Sequence, residues 1–119
     1  MSRIALLTAG LVGALALAAP IGATSSVTKL TGTVGPGFTI TLKKGTAKVK
    51  TLKAGSYKIT VNDKSNIHDF HLTGPGVNKK ITTTPFKGTK TVTVKLKKGT
   101  YRYICDPHAS VMKGSFKVT

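Results

Sequence analysis

Short stretches of alternating apolar and polar residues, separated by glycine-containing turns, make up almost all of the chain from residue 27 onward. They are rich in Thr, Val, Ile and Tyr and recur at intervals of about 8 to 12 residues, the spacing of short strands in sandwiches. No segment has helical periodicity over three turns. The sequence therefore predicts an all-β protein with two antiparallel sheets packed face to face.

About eight strands are expected, over residues 27–34, 39–43, 47–52, 56–62, 68–73, 89–96, 100–105 and 115–119. In the seventh, Tyr101, Tyr103 and Cys105 share one face, because side chains alternate along a strand. If that face is the core, Cys105 ends the strand pointing inward. Three phenylalanines are also predicted to be core residues: Phe38, Phe70 and Phe116.

The N-terminus has a different composition from the rest of the chain. An unbroken run of apolar and small residues, 4–19, follows Arg3 and leads to Pro20 and a small-residue stretch around Ala23. This layout is typical of a secretory signal peptide, and a run of roughly 16 residues is shorter than the ~20 of a spanning helix. We expect residues 1–23 to be cleaved and residues 24–119 to form one domain. An uncleaved segment would instead tether the domain to a membrane.

Basic residues dominate the expected mature domain. The chain has 19 Lys and Arg against 3 acidic residues, and only Arg3 lies in the signal segment, so the domain has a formal charge of about +15. Such a field favours an acidic redox protein or an anionic envelope surface as partner, although solvated strand faces explain the lysines equally well. Nucleic acid fits poorly, because no stretch of interleaved aromatic and basic residues occurs.

The only cysteine, Cys105, cannot form an intramolecular disulfide. In an oxidising compartment such a residue is buried and inert, used between chains, or held as a metal thiolate. His108 and Met112 follow it closely, and either His68 or His71 offers a second imidazole. Two His, one Cys and a distant Met are the ligand set of a blue-copper electron-transfer site, whereas structural zinc sites rarely include Met.

On these residues the chain resembles a small cupredoxin of the plastocyanin, amicyanin and pseudoazurin group. The family motif of Cys, His and Met, each separated by two to four residues, matches Cys105, His108 and Met112. The upstream motif matches best with His68 as a ligand. The resemblance implies a Greek-key β-sandwich holding one type 1 copper ion through these four residues, and it leaves His71 as an alternative ligand, a supporting residue or a surface residue.

One position departs from the family pattern beside the implied site. Asp69 stands where the family commonly has an Asn whose backbone N–H is thought to bond the copper thiolate. An Asp keeps that N–H and adds a negative charge. The resemblance further implies a low-polarity collar around His108, the expected electron port, built from 35–37, 74–76, Pro107, Ala109 and Val111.

The implied function is that of an exported, monomeric blue copper protein, periplasmic or extracellular, that carries single electrons between redox partners and has no substrate or enzymatic activity. A copper-delivery protein is the main alternative, although the Met-rich and His-rich tracts that suit metal exchange are missing from the sequence. Multicopper oxidases and nitrite reductases are another alternative, but they need several domains or chains and extra His-x-His motifs, and no such motif occurs in the sequence. A metal-free adhesion sandwich is the last alternative.

Overall fold

The computed structural model describes residues 27–119, which form two five-stranded sheets. Buried and exposed residues alternate along successive strands of these sheets. The predicted signal segment, residues 1–23, lies outside these residues. No helix among the described residues has the length and apolar character needed to cross a membrane. The strands are β1 (Thr28–Val34), β2 (Ile40–Lys44), β3 (Ala47–Lys48), β4 (Thr51–Leu52), β5 (Gly55–Asp63), β6 (Phe70–Gly74), β7 (Val77–Thr82), β8 (Gly88–Leu96), β9 (Gly99–Ile104) and β10 (Lys113–Val118).

The two sheets have the strand orders β3-β2-β1-β5-β8 and β4-β10-β9-β6-β7. Most neighbours are antiparallel, but β1 runs parallel to β5 over its whole length and β4 runs parallel to β10. The prediction of an all-β sandwich is confirmed, whereas the prediction of purely antiparallel sheets is wrong. The cause is connectivity, since β1 pairs with β5 across the intervening strands and local turn signals carry no information about such a pair.

One hydrophobic core lies between the inner faces of the sheets. One sheet contributes Leu30, Leu42 and Ile59, and the other contributes Leu72 and Phe116, all nearly inaccessible to solvent. Tyr101, Tyr103 and Cys105 point into the same core, as predicted from their alternation. The ring of Tyr103 stacks on Phe70, and the ring of Tyr101 stacks on Phe116.

Three details of the strand prediction differ from the structure. The range 47–52 is two short strands, because β3 pairs with β2 in one sheet and β4 pairs with β10 in the other, with Val49 buried between them. Strand β7 was not predicted, because its three central residues are all exposed and hide the alternation. Phe38, predicted in the core, is 59% exposed because it lies in the loop between β1 and β2.

Candidate metal centre

Three loops at one end of the sandwich bring together the histidines and the cysteine singled out by the sequence. The first joins β1 to β2, the second joins β5 to β6 and carries His68, and the third joins β9 to β10 and runs from Cys105 to Met112. Gly35 allows the first loop to lie against the second, because its φ of 77° suits glycine and an added Cβ would stand 3.0 Å from His68 Cδ2.

The third loop is a compact turn closed by its own backbone. Cys105 N–H donates to Met112 O at 3.0 Å, and Met112 N–H donates to His108 O at 2.8 Å. Between them, His108 N–H donates to Cys105 O at 3.0 Å within a short 3₁₀ turn that starts at Asp106. Pro107 suits the start of such a turn because it has no N–H to leave unbonded. These hydrogen bonds therefore fix the backbone positions from which the side chains of Cys105, His108 and Met112 extend.

The donor atoms of His68, Cys105 and His108 form a small triangle. The two imidazole Nδ1 atoms are 3.2 Å apart, and Cys105 Sγ lies 3.6 Å from His68 Nδ1 and 3.5 Å from His108 Nδ1. Among the residues that the structure describes, these three form the one cluster of His, Cys, Asp or Glu side chains able to hold a metal ion. The sequence-predicted choice of His68 over His71 agrees with this cluster.

The triangle fits a transition-metal ion in size and in chemistry. A point equidistant from its three corners lies about 2 Å from each, which is close to the bond lengths that imidazole nitrogen and thiolate sulfur make to first-row metals. One thiolate with two imidazoles in a trigonal set is the in-plane donor set of blue-copper sites. The cluster therefore suits copper without movement of the loops.

Burial raises the pKa of the Cys105 thiol, although hydrogen bonds from the backbone partly oppose the shift. The metal-free protein therefore holds a protonated thiol at neutral pH. A bound cation reverses this preference, because metal ligation deprotonates a thiol outright. Copper binding should accordingly release a proton from Cys105.

Asp69 joins the second and third loops through both its backbone and its side chain. Its N–H points at Cys105 Sγ across 3.5 Å, and its Oδ1 accepts a 2.6 Å hydrogen bond from Asp106 N–H. The contact expected from the family resemblance is therefore present with Asp in place of Asn. Burial, assisted by the neighbouring Asp106 carboxyl, raises the pKa of Asp69 from 3.8 to about 6.

His71 lies apart from the triangle. Its Nδ1 is 3.0 Å from Asp106 Oδ2, and its Nε2 is 2.6 Å from Asn78 Oδ1, so both ring nitrogens face oxygen acceptors. Burial opposes protonation, but these hydrogen bonds outweigh it and raise the pKa of His71. Lys80 Nζ stands 3.8 Å from the same Asp106 carboxylate. Of the three roles left open by the sequence, a supporting role fits, because the hydrogen bonds of His71 connect the third loop to β6 and β7.

Met112 is fully buried at the end of the third loop, where the sequence predicted the fourth ligand. Its backbone is fixed by the two hydrogen bonds that close that loop. Met112 therefore belongs to the same loop as Cys105 and His108.

Phe38 lies at this site, although the sequence pattern predicted it to be a core residue. Its ring meets the ring of His108 edge-on at 4.9 Å between centroids and the ring of His68 at 5.6 Å. Ile67 and Val111 are also large exposed apolar residues in the loops at this end. A signal was available in the sequence, because Phe38 follows the turn residues 35–37 directly and an aromatic residue there need not reach the core.

Comparison with known proteins agrees with the fold and the site. A sequence model of copper-binding proteins of the plastocyanin/azurin family matches residues 33–119. Reduced rusticyanin is 23% identical with a TM-score of 0.55, covering 80% of this chain and 82% of its own. A rusticyanin variant is 25% identical with a TM-score of 0.53 and 80% coverage of both chains.

A chain in the cryo-EM structure of a heme-copper terminal oxidase dimer is 20% identical with a TM-score of 0.54, covering 76% of this chain and 63% of its own. A search of curated protein sequences gives no significant match. The structural likenesses show the cupredoxin fold, and the family match together with the donor cluster indicates one copper site. Because that match spans most of the chain, the protein belongs to the plastocyanin/azurin family of copper-binding proteins.

Proposed function

We propose that this protein is an exported blue copper protein that carries single electrons between redox partners and is not an enzyme. The observation that carries the proposal is the closed triangle of His68, Cys105 and His108, whose donors stand 3.2 to 3.6 Å apart. When bound, copper supplies a one-electron couple between its Cu(I) and Cu(II) states. A donor set that needs no rearrangement suits such a couple, because little energy is then lost in reorganising the site.

The proposed ligands are His68, Cys105, His108 and Met112, which together would hold the copper ion, with the Met112 thioether as the weakest donor. Support for Met112 comes from its complete burial and from its place at the end of the loop that carries two of the other ligands. A soft thioether beside a thiolate also favours copper over zinc. Asp69 N–H, directed at Cys105 Sγ, stabilises negative charge on the sulfur.

Electrons are proposed to enter and leave through His108. It is the most exposed member of the donor triangle, whereas His68 and Cys105 are fully buried. Phe38 and Val111 present apolar surface at the same end. A partner could dock on this surface without placing charged groups next to the site.

Export, partner and oligomeric state belong to the same proposal. The apolar N-terminal run with its small-residue end supports export to the periplasm or the cell exterior, with tethering as the outcome if residues 1–23 are retained. The excess of basic residues supports an acidic redox protein or an anionic envelope surface as partner. The protein is proposed to act as a monomer.

The decisive measurement is the visible spectrum and voltammetry of the copper-loaded protein. We expect an intense thiolate-to-copper charge-transfer band and fast, reversible one-electron voltammetry. Cys105→Ser should abolish the band, and Met112→Leu should retain it while shifting the reduction potential. His71→Gln is the matched control, since this histidine lies outside the triangle, and it should leave the band in place.

Two results would refute the proposal. A copper-loaded protein without the band would exclude a type 1 site. Slow electron exchange combined with ready transfer of copper to an acceptor protein would instead support the alternative function, copper delivery.

A further inference from the structure

A groove with a volume of about 610 Å³ runs between β7 and β8, on the open side of the sandwich. These strands are the terminal members of their respective sheets: in the part of the chain described, β7 pairs with β6 alone and β8 with β5 alone. Two strand edges therefore face the same groove. Unpaired edges of this kind can accept an added strand.

The groove combines an apolar floor with a basic rim. Val77, Val92 and Val94 are half-buried and pack against the core. The rim is formed by exposed lysines: Lys79, Lys95 and Lys97. No carboxylate belongs to the lining of this groove in the described structure.

Like-charged rims reject a second copy of the same chain. Lysines on edge strands are a common device against edge-to-edge pairing, because two copies would bring ammonium groups together. The same arrangement accepts a strand of opposite charge, so that repulsion and attraction together define the partner. The half-buried valines add a requirement that a plain polyanion does not meet, since they need apolar side chains to cover them.

We propose that this groove binds an extended acidic segment of a partner protein, which adds to the free edge of β8. Apolar side chains of the segment would cover Val92 and Val94, and its carboxylates would reach Lys95 and Lys97. Lys79 pairs in register with the buried Leu72 and so projects from the inner face of β7, over the groove. An added strand with alternating apolar and acidic residues meets Val92 and Val94 with one face and Lys95 with the other, because Lys95 pairs with the exposed Ser56 and side chains alternate between faces.

The groove lies toward the end of the sandwich away from the metal centre. Strand β8 begins at Gly88, which pairs with Asp63 just before the His68 loop, and it ends at Leu96, which pairs with Gly55. Val92, Val94 and Lys95 belong to the latter half of the strand. A partner bound there leaves the exposed edge of His108 free, so the proposed contact anchors the protein without blocking electron transfer.

The test uses the copper-loaded protein and a synthetic nine-residue peptide of alternating Glu and Val, the length of β8. We expect its binding to shift the backbone amide NMR signals of β7 and β8. Lys95→Glu combined with Lys97→Glu should weaken the dissociation constant at least tenfold by calorimetry. Lys43→Glu combined with Lys48→Glu makes the same charge change on β2 and β3, at the opposite edge of the sheet, and should alter it less than twofold.

The valine requirement has its own variant. Val92→Thr with Val94→Thr keeps the charge and strand propensity and should weaken binding several-fold, with folding checked from the dispersion of the NMR spectrum. Cys105→Ser should bind the peptide as tightly as the native protein does, so this result stands apart from the copper proposal.

Three outcomes would overturn the proposal. A nonaglutamate peptide that binds as tightly as the alternating one would reduce the contact to general attraction of polyanions. Equal weakening by the Lys43 and Lys48 pair would do the same. Amide shifts confined to the His108 end would place acidic partners at the metal centre.

Discussion

At the scale of single residues, the surroundings of the two histidines in the donor triangle depend on one aromatic ring from another loop. Phe38 reaches both imidazoles edge-on, although more than half of its own surface is exposed. Edge-on aromatic contacts contribute about 0.5 to 1.5 kcal/mol beyond area burial. Phe38 therefore shields the imidazole rings and limits their movement.

Phe38→Ala should speed the loss of copper to a chelator about two- to tenfold, the factor that corresponds to one such contact. The visible band should persist, because no ligand changes. Stopped-flow absorbance at that band measures the rate. Ile67→Ala, at an exposed apolar residue of the neighbouring loop, is the control and should leave the rate nearly unchanged. Equal rates in the native protein and Phe38→Ala would remove the shielding role.

Asp69 predicts a pH dependence of stability in the metal-free protein. Its pKa is raised from 3.8 to about 6, mainly by burial. Between these values the folded protein retains a proton that the unfolded chain releases, so the free energy of unfolding falls as pH rises through this window. Asp69→Asn lacks that proton and keeps an oxygen for Asp106 N–H.

The stability difference, Asp69→Asn minus native, should therefore grow from pH 4 to pH 6 and then level off. Urea unfolding of both metal-free proteins at several pH values measures it, and the subtraction cancels the titration of groups that Asp69 does not influence. A difference that is constant, or that shrinks with rising pH, would contradict a raised pKa at this carboxyl.

Residue spacing in the sequence was enough to predict most of the donor cluster, but not that Phe38 packs beside it. Cys105, His108 and Met112 stand in one short loop, so their proximity follows from the chain itself. The choice of His68 over His71 came from the family resemblance and agrees with the cluster of donors. Phe38 lies 30 positions before His68 in the sequence. The contact between them depends on the pairing of distant strands, which composition and spacing do not encode.

At the scale of elements, close approaches of strands to aromatic rings fix where the sheets can lie. At Gly74, at the end of β6, an added Cβ would clash with the ring of Tyr101. Tyr101 cannot easily yield, because its hydroxyl donates to Pro75 O at 2.8 Å and accepts from Lys97 N–H at 2.9 Å. A hydrogen-bonded, fully buried tyrosine thus requires a glycine across from it.

Gly74→Ala should lower the free energy of unfolding by about 1 to 3 kcal/mol, the usual cost of overpacking a core. Gly37→Ala is the matched control, because no atom lies within 4 Å of the added Cβ and its φ is not in the left-handed region. It should be neutral within about 0.5 kcal/mol. Urea denaturation of both variants decides the matter, and equal stability would show that Tyr101 moves aside at little cost.

The elements also show why some strands escaped sequence-based prediction. Strands with one buried face, such as β5 and β9, alternate clearly and were predicted within about a residue of their bounds. Strand β7 borders the open groove, so its central residues face solvent on both sides and the alternation disappears. The edge strand β8 keeps half-buried valines on one face and was predicted, so exposure of both faces, rather than edge position, hid β7 in the sequence.

At the scale of the whole molecule, the positive field is scarcely interrupted. Of the acidic residues, Asp63 and Asp69 are buried, and Asp106 lies within reach of His71 and Lys80. The lysines are therefore balanced by almost no exposed, unpaired carboxylate in the described domain. The apolar surface around His108 sits within this field, so long-range attraction and short-range docking act on different parts of an encounter.

Electron transfer should consequently depend on salt with a sign set by the charge of the reagent. With anionic hexacyanoferrate the rate should fall as ionic strength rises, and with a cationic cobalt–phenanthroline complex it should rise, because the screening length shrinks from about 30 Å at 0.01 M to about 10 Å at 0.1 M. Lys64→Gln with Lys113→Gln, in or beside the loops of the metal centre, should flatten the hexacyanoferrate dependence. Lys53→Gln with Lys98→Gln, at the opposite end, should change it less. Salt slopes of the same sign for both reagents, measured by stopped flow, would mean that the net charge does not steer encounters at the copper end.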